Sequence, residues 1–497
     1  MRLRRGKGIV RRALWLLAVA AVVVAGVFVV GSSRRRAREP NYTYDPVVAK
    51  TALDAWTPSW PAPSAAAGAA AAPRRWMVIG WDGASWDIAL PLLDAGKMPN
   101  LAALMREGAY GDLYSFKPTW SPVLWTTVAT GVDPGRHGIL AWGRTEDDGK
   151  TRRLFSNADR RVRALWNLLT DAGKTALVVG YHNTFPADRI RGVMVSNYLY
   201  QEHLASTMGA NVDPLASRSG LVFPPERVKD VLAVQSDVAN SLPSTIRRFA
   251  TYRAEEAAAF EAPLTSGLAP GQDRRLFFLK KAYLFDEFNA RVAAAEYPRV
   301  APDVLMVHFQ CLDLVGHYFL YFHEPARFAS MSWTPEQREK LAAQERFYGG
   351  TVEAFYRWMD EWLGRLLALR PADCGVILLS DHGFEPEPDA DRTGYHVSAP
   401  PGVFVVAGPG VRPGFRPEAA SLYDVLPTIV ATTGLPVARD LRGRVMGSWF
   451  EPEAWGRVRV TTVPSYETRE RFVPDVPEPS AVDADVLEQL KALGYIR

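Results

Sequence analysis

The chain has 497 residues, of which 48% are hydrophobic, 23% charged and 11% aromatic. This length and composition indicate a globular protein with one large domain or two smaller ones, and they exclude a disordered or fibrous chain. Two cysteines are too few for a disulfide framework, so any metal site has to use histidines and carboxylates.

The net charge of +4 comes from the N-terminus. Residues 1–40 contain ten Lys or Arg and a single acid, Glu39, whereas the remaining residues contain 48 basic and 53 acidic side chains. The larger part of the chain is therefore slightly acidic, and its charge gives no reason to expect a nucleic-acid partner.

An uncharged apolar segment from Ala13 to Gly31 is long enough to cross a bilayer as one transmembrane helix. Basic residues flank it on both sides, with a small excess before it, which favours a cytoplasmic N-terminus and an exported body. A signal peptide cleaved near Ala18–Ala21 is the rival interpretation. We favour an uncleaved anchor in the cell membrane, with the rest of the chain in the periplasm or outside the cell, because the apolar segment continues past that point.

The expected organisation has four parts. Residues 1–40 form the cytoplasmic tip and anchor, 41–75 a Pro/Ala-rich stalk, 76–470 a catalytic domain and 471–497 a C-terminal tail helix. Within the catalytic domain, residues 200–272 are polar, have short helical patterns and show no convincing strand. They are expected to form an inserted helical cap that either shapes a substrate pocket or only covers the surface.

Short apolar runs alternate with helical patterns along residues 76–470, and each such run predicts a buried strand. This alternation predicts an α/β fold of three layers, α/β/α, with a mostly parallel central sheet covered by helices on both faces. The predicted helices are Met98–Gly108, Arg163–Ala172 and Gly350–Leu367. The predicted strands are Trp76–Trp81, Ala176–Gly180, Val193–Ser196, Val304–Gln310, Gly375–Ser380 and Val403–Ala407.

Groups that could bind metals follow several of these strands, at the edge where ligands of open α/β sheets gather. Each one taken alone is more often a capping or turn residue. Together they supply three carboxylates and three imidazoles, enough for two ions with three protein ligands each. Two of the candidates, Asp381 and His382, are adjacent in the sequence and can converge on one ion only in a tight turn, which we expect Gly383 to permit. The candidate ligands are Asp82, Asp313, His317, Asp381, His382 and His396.

A nucleophile is predicted at Ser121. The sequence SPVLWTTVAT reads as a helix with Ser121 as its N-cap, Pro122 in the first turn and Gly131 at its end. A hydroxyl at a helix N-terminus lies where an anion such as phosphate is favoured, and metal coordination would activate it. The alternative is that Ser121 only caps the helix.

Asp82, the segments WSPVLWTTVATG, DLVGH and SDHG, and a late histidine before a strand ending in GPG resemble the alkaline phosphatase superfamily. The resemblance is strongest to its type I phosphodiesterase/nucleotide pyrophosphatase branch and to related bacterial phosphohydrolase- and phosphomutase-like proteins. It implies an alkaline phosphatase-like fold, with Asp313, His317 and His396 holding one ion. Asp82, Asp381 and His382 would hold the other, with Ser121 coordinated to it.

The resemblance also implies a reaction in which Ser121 attacks phosphorus and the phosphoseryl intermediate is then hydrolysed. The family implies zinc, although mixed oxygen and nitrogen ligands also suit manganese. Its spacing places the nucleophile at Ser121, with Thr119 as the less favoured alternative. Sulfatase activity is not expected, because Pro122 directly follows Ser121 and Trp125 stands where a sulfatase frame needs arginine.

We therefore expect a hydrolase of phosphoric esters, most of all phosphodiesters, with a small-molecule or lipid or glycan head-group substrate. Nucleotide specificity is not supported, because SPVL at the nucleophile lacks the asparagine of many extracellular pyrophosphatases. A phosphomonoesterase, a phosphotransferase or phosphomutase, and an inactive binding or scaffold protein remain alternatives. Cys311 and Cys374 are expected to stay unpaired, because they lie at opposite ends of parallel strands.

Overall fold

The computed structural model describes residues 51–60, 70–146, 152–199, 220–264, 272–417 and 419–468, together with 483, 486, 487 and 490. The predicted membrane anchor, part of the stalk, part of the cap and most of the tail therefore lie outside the described residues. Within the described part of the chain, no helix is long and apolar enough to span a bilayer.

Fifteen strands occur in the described residues, and nine of them form the central sheet. In chain order the strands are β1 Arg75–Trp81, β2 Ala109–Tyr114, β3 Gly143–Thr145, β4 Arg152–Leu154, β5 Ala176–Val179, β6 Gly192–Val195, β7 Val222–Phe223, β8 Val304–Phe309, β9 Cys374–Leu379, β10 Glu385–Pro386, β11 Gly394–Tyr395, β12 Gly402–Ala407, β13 Ala420–Ser421, β14 Val437–Ala438 and β15 Thr462–Val463. The sheet order is β13-β2-β12-β9-β1-β8-β5-β6-β7.

The α-helices of the same residues range from single turns to one of 27 residues. They are α1 Ala52–Ala55, α2 Trp86–Asp94, α3 Pro99–Glu107, α4 Ser121–Thr130, α5 Pro134–His137, α6 Leu165–Asp171, α7 Val228–Thr245, α8 Ala257–Glu261, α9 Arg274–Val300, α10 Cys311–His323, α11 Pro335–Tyr348, α12 Thr351–Leu367, α13 Leu422–Thr432 and α14 Pro452–Trp455. The three helices and six strands predicted from the sequence are all present, with bounds that differ by at most two residues.

The sheet has apolar cores on both faces, because successive side chains of a strand point to opposite sides. In β1, Met77 and Ile79 pack into one core with helices α9, α10 and α12, whereas Trp76 and Val78 pack into the other with α4 and α13. The structure therefore confirms an α/β fold of three layers.

The sheet is mostly parallel, and two of its strands, β12 and β7, run in the opposite direction to the others. Strand β1 pairs in parallel with β8 and β9, and β5 pairs in parallel with β6 and β8. Strand β12 runs antiparallel to both of its neighbours, β2 and β9. The start of β12 consequently lies at the same edge of the sheet as the carboxyl ends of β1, β8 and β9.

Part of the predicted cap differs from its expectation. Val222–Phe223 forms a short strand that pairs antiparallel with β6 at the edge of the central sheet, so the expectation of no strand there is wrong. Two residues are too few to show a period in the sequence. The 18-residue helix α7 follows and contributes Val231, Val238 and Leu242 to the core.

The two cysteines are buried and free, as expected. Cys374 begins β9 and Cys311 follows the carboxyl end of β8, and β1 lies between these two strands. Opposite ends of strands that are not neighbours lie too far apart for a disulfide.

Candidate active site

The seven residues predicted for the site lie together at one edge of the sheet. Asp82 follows β1, Asp381 and His382 follow β9, and Ser121 begins α4. Each of the seven side chains belongs to a residue at most 3% exposed. The full set brought together is Asp82, Ser121, Asp313, His317, Asp381, His382 and His396.

His396 reaches this edge from the beginning of a strand rather than from the end of one. It follows β11 and precedes β12, and β12 is antiparallel to its neighbour β9. The reversed strand therefore explains how a residue before a strand meets residues that come after parallel strands.

One group of ligand atoms surrounds the predicted nucleophile. Ser121 Oγ donates a hydrogen bond to Asp82 Oδ1 over 3.2 Å and lies 3.4 Å from His382 Nε2. His382 Nε2 is 3.4 Å from Asp82 Oδ1 and 3.6 Å from Asp381 Oδ2. The ligand atoms of the two aspartates and His382 all lie within 4.8 Å of one another, close enough to share one ion.

The second group centres on Asp313. Its Oδ1 lies 3.4 Å from His317 Nε2, one helical turn later in α10, and 3.4 Å from His396 Nε2. The His382 and His396 rings stack with centroids 3.8 Å apart, so the two groups adjoin. His382 also lies near enough to Asp313 and His396 to serve either group, and the division of ligands stays a prediction.

The histidines present their Nε2 atoms to the site because other groups hold their Nδ1 atoms. His317 Nδ1 lies 2.8 Å from the carbonyl oxygen of Gly394, and His382 Nδ1 lies 3.1 Å from that of Gly383. His396 Nδ1 lies 3.5 Å from the Thr119 hydroxyl, which itself donates to the His396 carbonyl. Such partners fix the ring orientation of a metal-binding histidine.

Several polar atoms of the site are buried and have no hydrogen-bond partner. They are Asp313 Oδ1 and both carboxylate oxygens of Asp381. Burial, and then the charges of Asp82 and Asp313, raise the pKa of Asp381 well above its usual value. Because unpaired buried carboxylates are costly, the donor set fits divalent cations.

Two imidazoles of the site, those of His382 and His396, are suited to bind metal as neutral ligands. Burial lowers the pKa of His382, and burial together with the neighbouring His382 and His317 lowers that of His396 well below its usual value. Burial alone would raise the pKa of Asp82, but the neighbouring imidazoles of His182 and His308 outweigh burial and hold that pKa well below its usual range. Neutral imidazoles and an ionised carboxylate are the forms that coordinate zinc.

Two local expectations need correction. Ser121 is the first residue of α4, and Trp120 is the N-cap, with no side-chain capping bond. The serine hydroxyl is therefore not engaged in capping and is directed to Asp82, whereas Gly131 ends the helix with φ of 67°, as predicted. The second correction concerns Gly383, which follows Asp381 and His382 and has no positive φ. The glycine of the site with a positive φ is instead Gly83, directly after Asp82, with φ of 73°.

Sequence reasoning missed two histidines and a tryptophan that contact Asp82. Trp125 Nε1 donates to Asp82 Oδ2 over 2.9 Å, and the Nε2 atoms of His308 and His182 lie 3.2 and 3.5 Å from that oxygen. His182 follows β5 by three residues, so the rule of strand ends could have found it. His308 lies inside the apolar run of β8, where a polar residue was the available signal.

A cavity of about 70 Å³ adjoins the site, and His182, His308 and Asp313 form part of its wall. The aromatic rings of Trp142, Phe155, Tyr198, Phe278 and Phe285 also line it. Among the described residues that line the cavity, Lys281 is the only lysine or arginine. Pro122, the residue after Ser121, also lines the cavity.

Comparison with known proteins gives sequence and structural relatives. A 2,3-bisphosphoglycerate-independent phosphoglycerate mutase of Cereibacter sphaeroides is 29% identical over 148 residues, which are 29% of this chain and 23% of the mutase. The chain thus matches under a quarter of the length of that curated relative.

Two solved structures illustrate how distant the structural similarity is. Human ectonucleotide pyrophosphatase/phosphodiesterase 5 is 11% identical with a TM-score of 0.42, covering 76% of this chain and 100% of its own. A phosphonoacetate hydrolase from Sinorhizobium meliloti is 16% identical with a TM-score of 0.35, covering 64% and 59%. Scores this low do not distinguish one activity from another.

The sequence profile of the type I phosphodiesterase/nucleotide pyrophosphatase family matches residues 76–421. That range is more than half of the chain, and it contains all seven residues of the site. The chain belongs to the type I phosphodiesterase/nucleotide pyrophosphatase family, a family of phosphoric ester hydrolases.

Proposed function

We propose that this chain is a membrane-anchored, metal-dependent phosphodiesterase in which Ser121 is the nucleophile. The observation that carries the proposal is the position of the Ser121 hydroxyl. It lies between Asp82 Oδ1 and His382 Nε2, at the N-terminus of a ten-residue helix and near carboxylate oxygens that have no hydrogen-bond partner.

The residues fit two divalent ions, with zinc favoured and manganese as the alternative. Asp313, His317 and His396 would hold one ion, and Asp82, Asp381 and His382 would hold the other, with Ser121 as a further ligand. When bound, the ions would lower the pKa of the serine hydroxyl and neutralise negative charge on the leaving oxygen.

The chain's own residues account for the rest of the reaction. Ser121 Oγ forms a bond to phosphorus while the bond from phosphorus to one of the two alcohols of the diester breaks, and the proton lost by the serine hydroxyl leaves with that alcohol. Water then breaks the bond between Ser121 Oγ and phosphorus, which releases the phosphomonoester and restores the serine hydroxyl. The N-terminus of α4 stabilises the phosphoryl oxygens through its dipole, because the bond is formed at the first residue of the helix.

The charge of the cavity favours a diester over a monoester. A phosphodiester carries one negative charge, whereas a phosphomonoester carries close to two at neutral pH. Lys281 is the only lysine or arginine among the described residues that line the cavity, so, apart from the ions, little positive charge is available for a second negative charge. The aromatic wall suits the organic group of the ester, from a small molecule or from a lipid or glycan head group.

Transfer of the phosphoryl group to a second hydroxyl is the alternative reaction. A phosphoserine formed at Ser121 can react with an alcohol in place of water, as a mutase or phosphotransferase requires. The sequence relative is named as a mutase, which supports testing this outcome.

The test uses the full-length protein in detergent, loaded with zinc or manganese. We expect it to hydrolyse bis(p-nitrophenyl) phosphate faster than p-nitrophenyl phosphate. Acid quenching during turnover should trap a p-nitrophenyl phosphoryl group on Ser121 with the diester and a phosphoryl group with the monoester. Ser121→Ala should abolish both signals, whereas Thr119→Val should retain the label. Label on Thr119, or full activity in Ser121→Ala, would contradict the proposed nucleophile, and product formed on an added alcohol would indicate transfer.

A further inference from the structure

Asp82 has a second set of partners on the side away from the proposed nucleophile. Its Oδ1 faces Ser121 and His382, whereas its Oδ2 is approached by nitrogens of Trp125, His308 and His182. Nothing in the proposed reaction uses His182 or His308, although both are buried and both line the cavity.

Asp82 Oδ2 cannot accept hydrogen bonds from all three of these nitrogens. A carboxylate oxygen has about two acceptor positions, and the Trp125 N–H takes one of them at 2.9 Å. His308 Nε2, at 3.2 Å, can take the other. His182 Nε2 is then left without a hydrogen-bond partner although His182 is only 8% exposed. A nitrogen directed into a buried polar cluster without a partner calls for a further ligand.

The spacing of the three atoms is that of metal ligands. Tetrahedral coordination at zinc distances of about 2.0–2.1 Å places ligand atoms roughly 3.4 Å apart. Asp82 Oδ2 lies 3.2 Å from His308 Nε2 and 3.5 Å from His182 Nε2. The three ligand atoms all lie within 4.8 Å of one another, as in the other two groups of the site.

We propose that Asp82 Oδ2, His182 Nε2 and His308 Nε2 bind a third divalent ion, and that the Asp82 carboxylate bridges this ion and the one beside Ser121. Two imidazoles and one carboxylate select a transition metal such as zinc over magnesium, which prefers an all-oxygen shell. With the ion present, each imidazole directs a lone pair to the metal, and Asp82 Oδ2 serves only Trp125 and the ion. The proposal rests on the proposed function for the other two ions, but it does not depend on the phosphoester chemistry.

Counting ions tests the proposal. Full-length protein in detergent is stripped with a chelator, titrated with Zn²⁺ and measured by native mass spectrometry and elemental analysis. We expect three ions per chain in the unsubstituted protein and two in His182→Gln and in His308→Gln. The matched control is His323→Gln, at the end of α10 and outside the three groups, which should keep three ions.

The count in the unsubstituted protein makes the test independent of whether the variants fold. Two ions or fewer at saturating Zn²⁺ would overturn the proposal, as would three ions retained in both histidine variants. Saturation of the third site by Mg²⁺ in place of Zn²⁺ would also overturn it, because the donor set would then not be selective. The phosphoserine trap decides the proposed function separately, so failure of one proposal leaves the other measurable.

Discussion

Ser121 is the first residue of helix α4, but its hydroxyl does not cap the helix. Its hydroxyl bonds to Asp82, and the helix begins after Trp120 without a side-chain cap. Loss of a capping hydroxyl costs about 1 kcal/mol, and this hydroxyl makes no such bond. We therefore expect Ser121→Ala to change the free energy of unfolding by less than about 1 kcal/mol, measured by urea denaturation of chelated protein. A larger loss would show that the hydroxyl is needed for folding.

Replacing Trp125 should weaken metal binding although Trp125 is not itself a metal ligand. Its indole N–H holds Asp82 Oδ2, so Trp125→Phe leaves most of the buried ring but frees the carboxylate to rotate. Loss of such an orienting bond typically weakens metal binding about 10–100-fold. A chelator competition titration should show a shift of this size for the ions held by Asp82.

A matched control for Trp125→Phe exists in the same core. Trp166 is also buried, and its N–H also donates to a carboxylate, Asp188, but that pair is outside the site. Trp166→Phe should leave zinc affinity unchanged. If zinc affinity falls equally in both variants, the cause is a loosened core and not the loss of the hydrogen bond to Asp82.

At the scale of elements, Asp286 of α9 holds the start of α10, the helix that carries Asp313 and His317. Its carboxylate accepts hydrogen bonds from the N–H groups of Gln310 at 2.9 Å and Cys311 at 2.6 Å. Burial raises the pKa of Asp286 to about 7 in the folded protein. The protonated form is therefore favoured by folding, and this contribution to stability is present near pH 4 and is lost as the pH rises towards 7.

The resulting prediction concerns Asp286→Asn, which cannot ionise. Between pH 5 and pH 8 the stability of the variant should improve relative to the unsubstituted protein by about 2–3 kcal/mol, following the linkage between pKa and unfolding. The measurement is urea denaturation of chelated protein at each pH, with the exposed Asp94→Asn as control. A stability difference that is the same at every pH would contradict the titration of Asp286.

Most elements could be predicted because their signals are local. Buried strands such as β8 and β9 are continuous apolar runs, and their ends locate Asp82, Asp313 and Asp381 at one edge. Strand β2 was missed because its sequence, AYGDLY, has no such run and its place depends on pairing with β12.

Other features depend on contacts between distant segments. The direction of β12 leaves no trace in its apolar pattern, so the route of His396 to the site became clear only from the sheet. The same holds for His182 and His308, since a lone histidine does not reveal which carboxylate it faces. The capping role expected for Ser121 was wrong because its hydroxyl found a partner in Asp82, 39 positions earlier.

At the scale of the whole molecule, membrane attachment remains a prediction from residues 13–31 and their basic flanks. We expect the protein to stay in the membrane fraction after alkaline carbonate washing, and deletion of residues 1–40 to prevent export. Protease added to spheroplasts should digest the part after residue 76 while leaving a cytoplasmic marker intact. Protection of that part in intact spheroplasts would reverse the proposed topology.

The position of β1 in the sheet has a consequence for how the protein folds. Strand β1, which ends just before Asp82, is the first of the described strands, yet it lies between β8 and β9, which follow it by more than 220 residues. Contacts this distant in sequence slow folding, because a long loop must close before they form. At about 5–20 residues per second, synthesis leaves both edges of β1 without their partners for roughly ten seconds or more. A nascent chain that ends before β8 therefore exposes an unpaired apolar strand, and we expect folding of this protein to require nearly its full length and protection by chaperones until then.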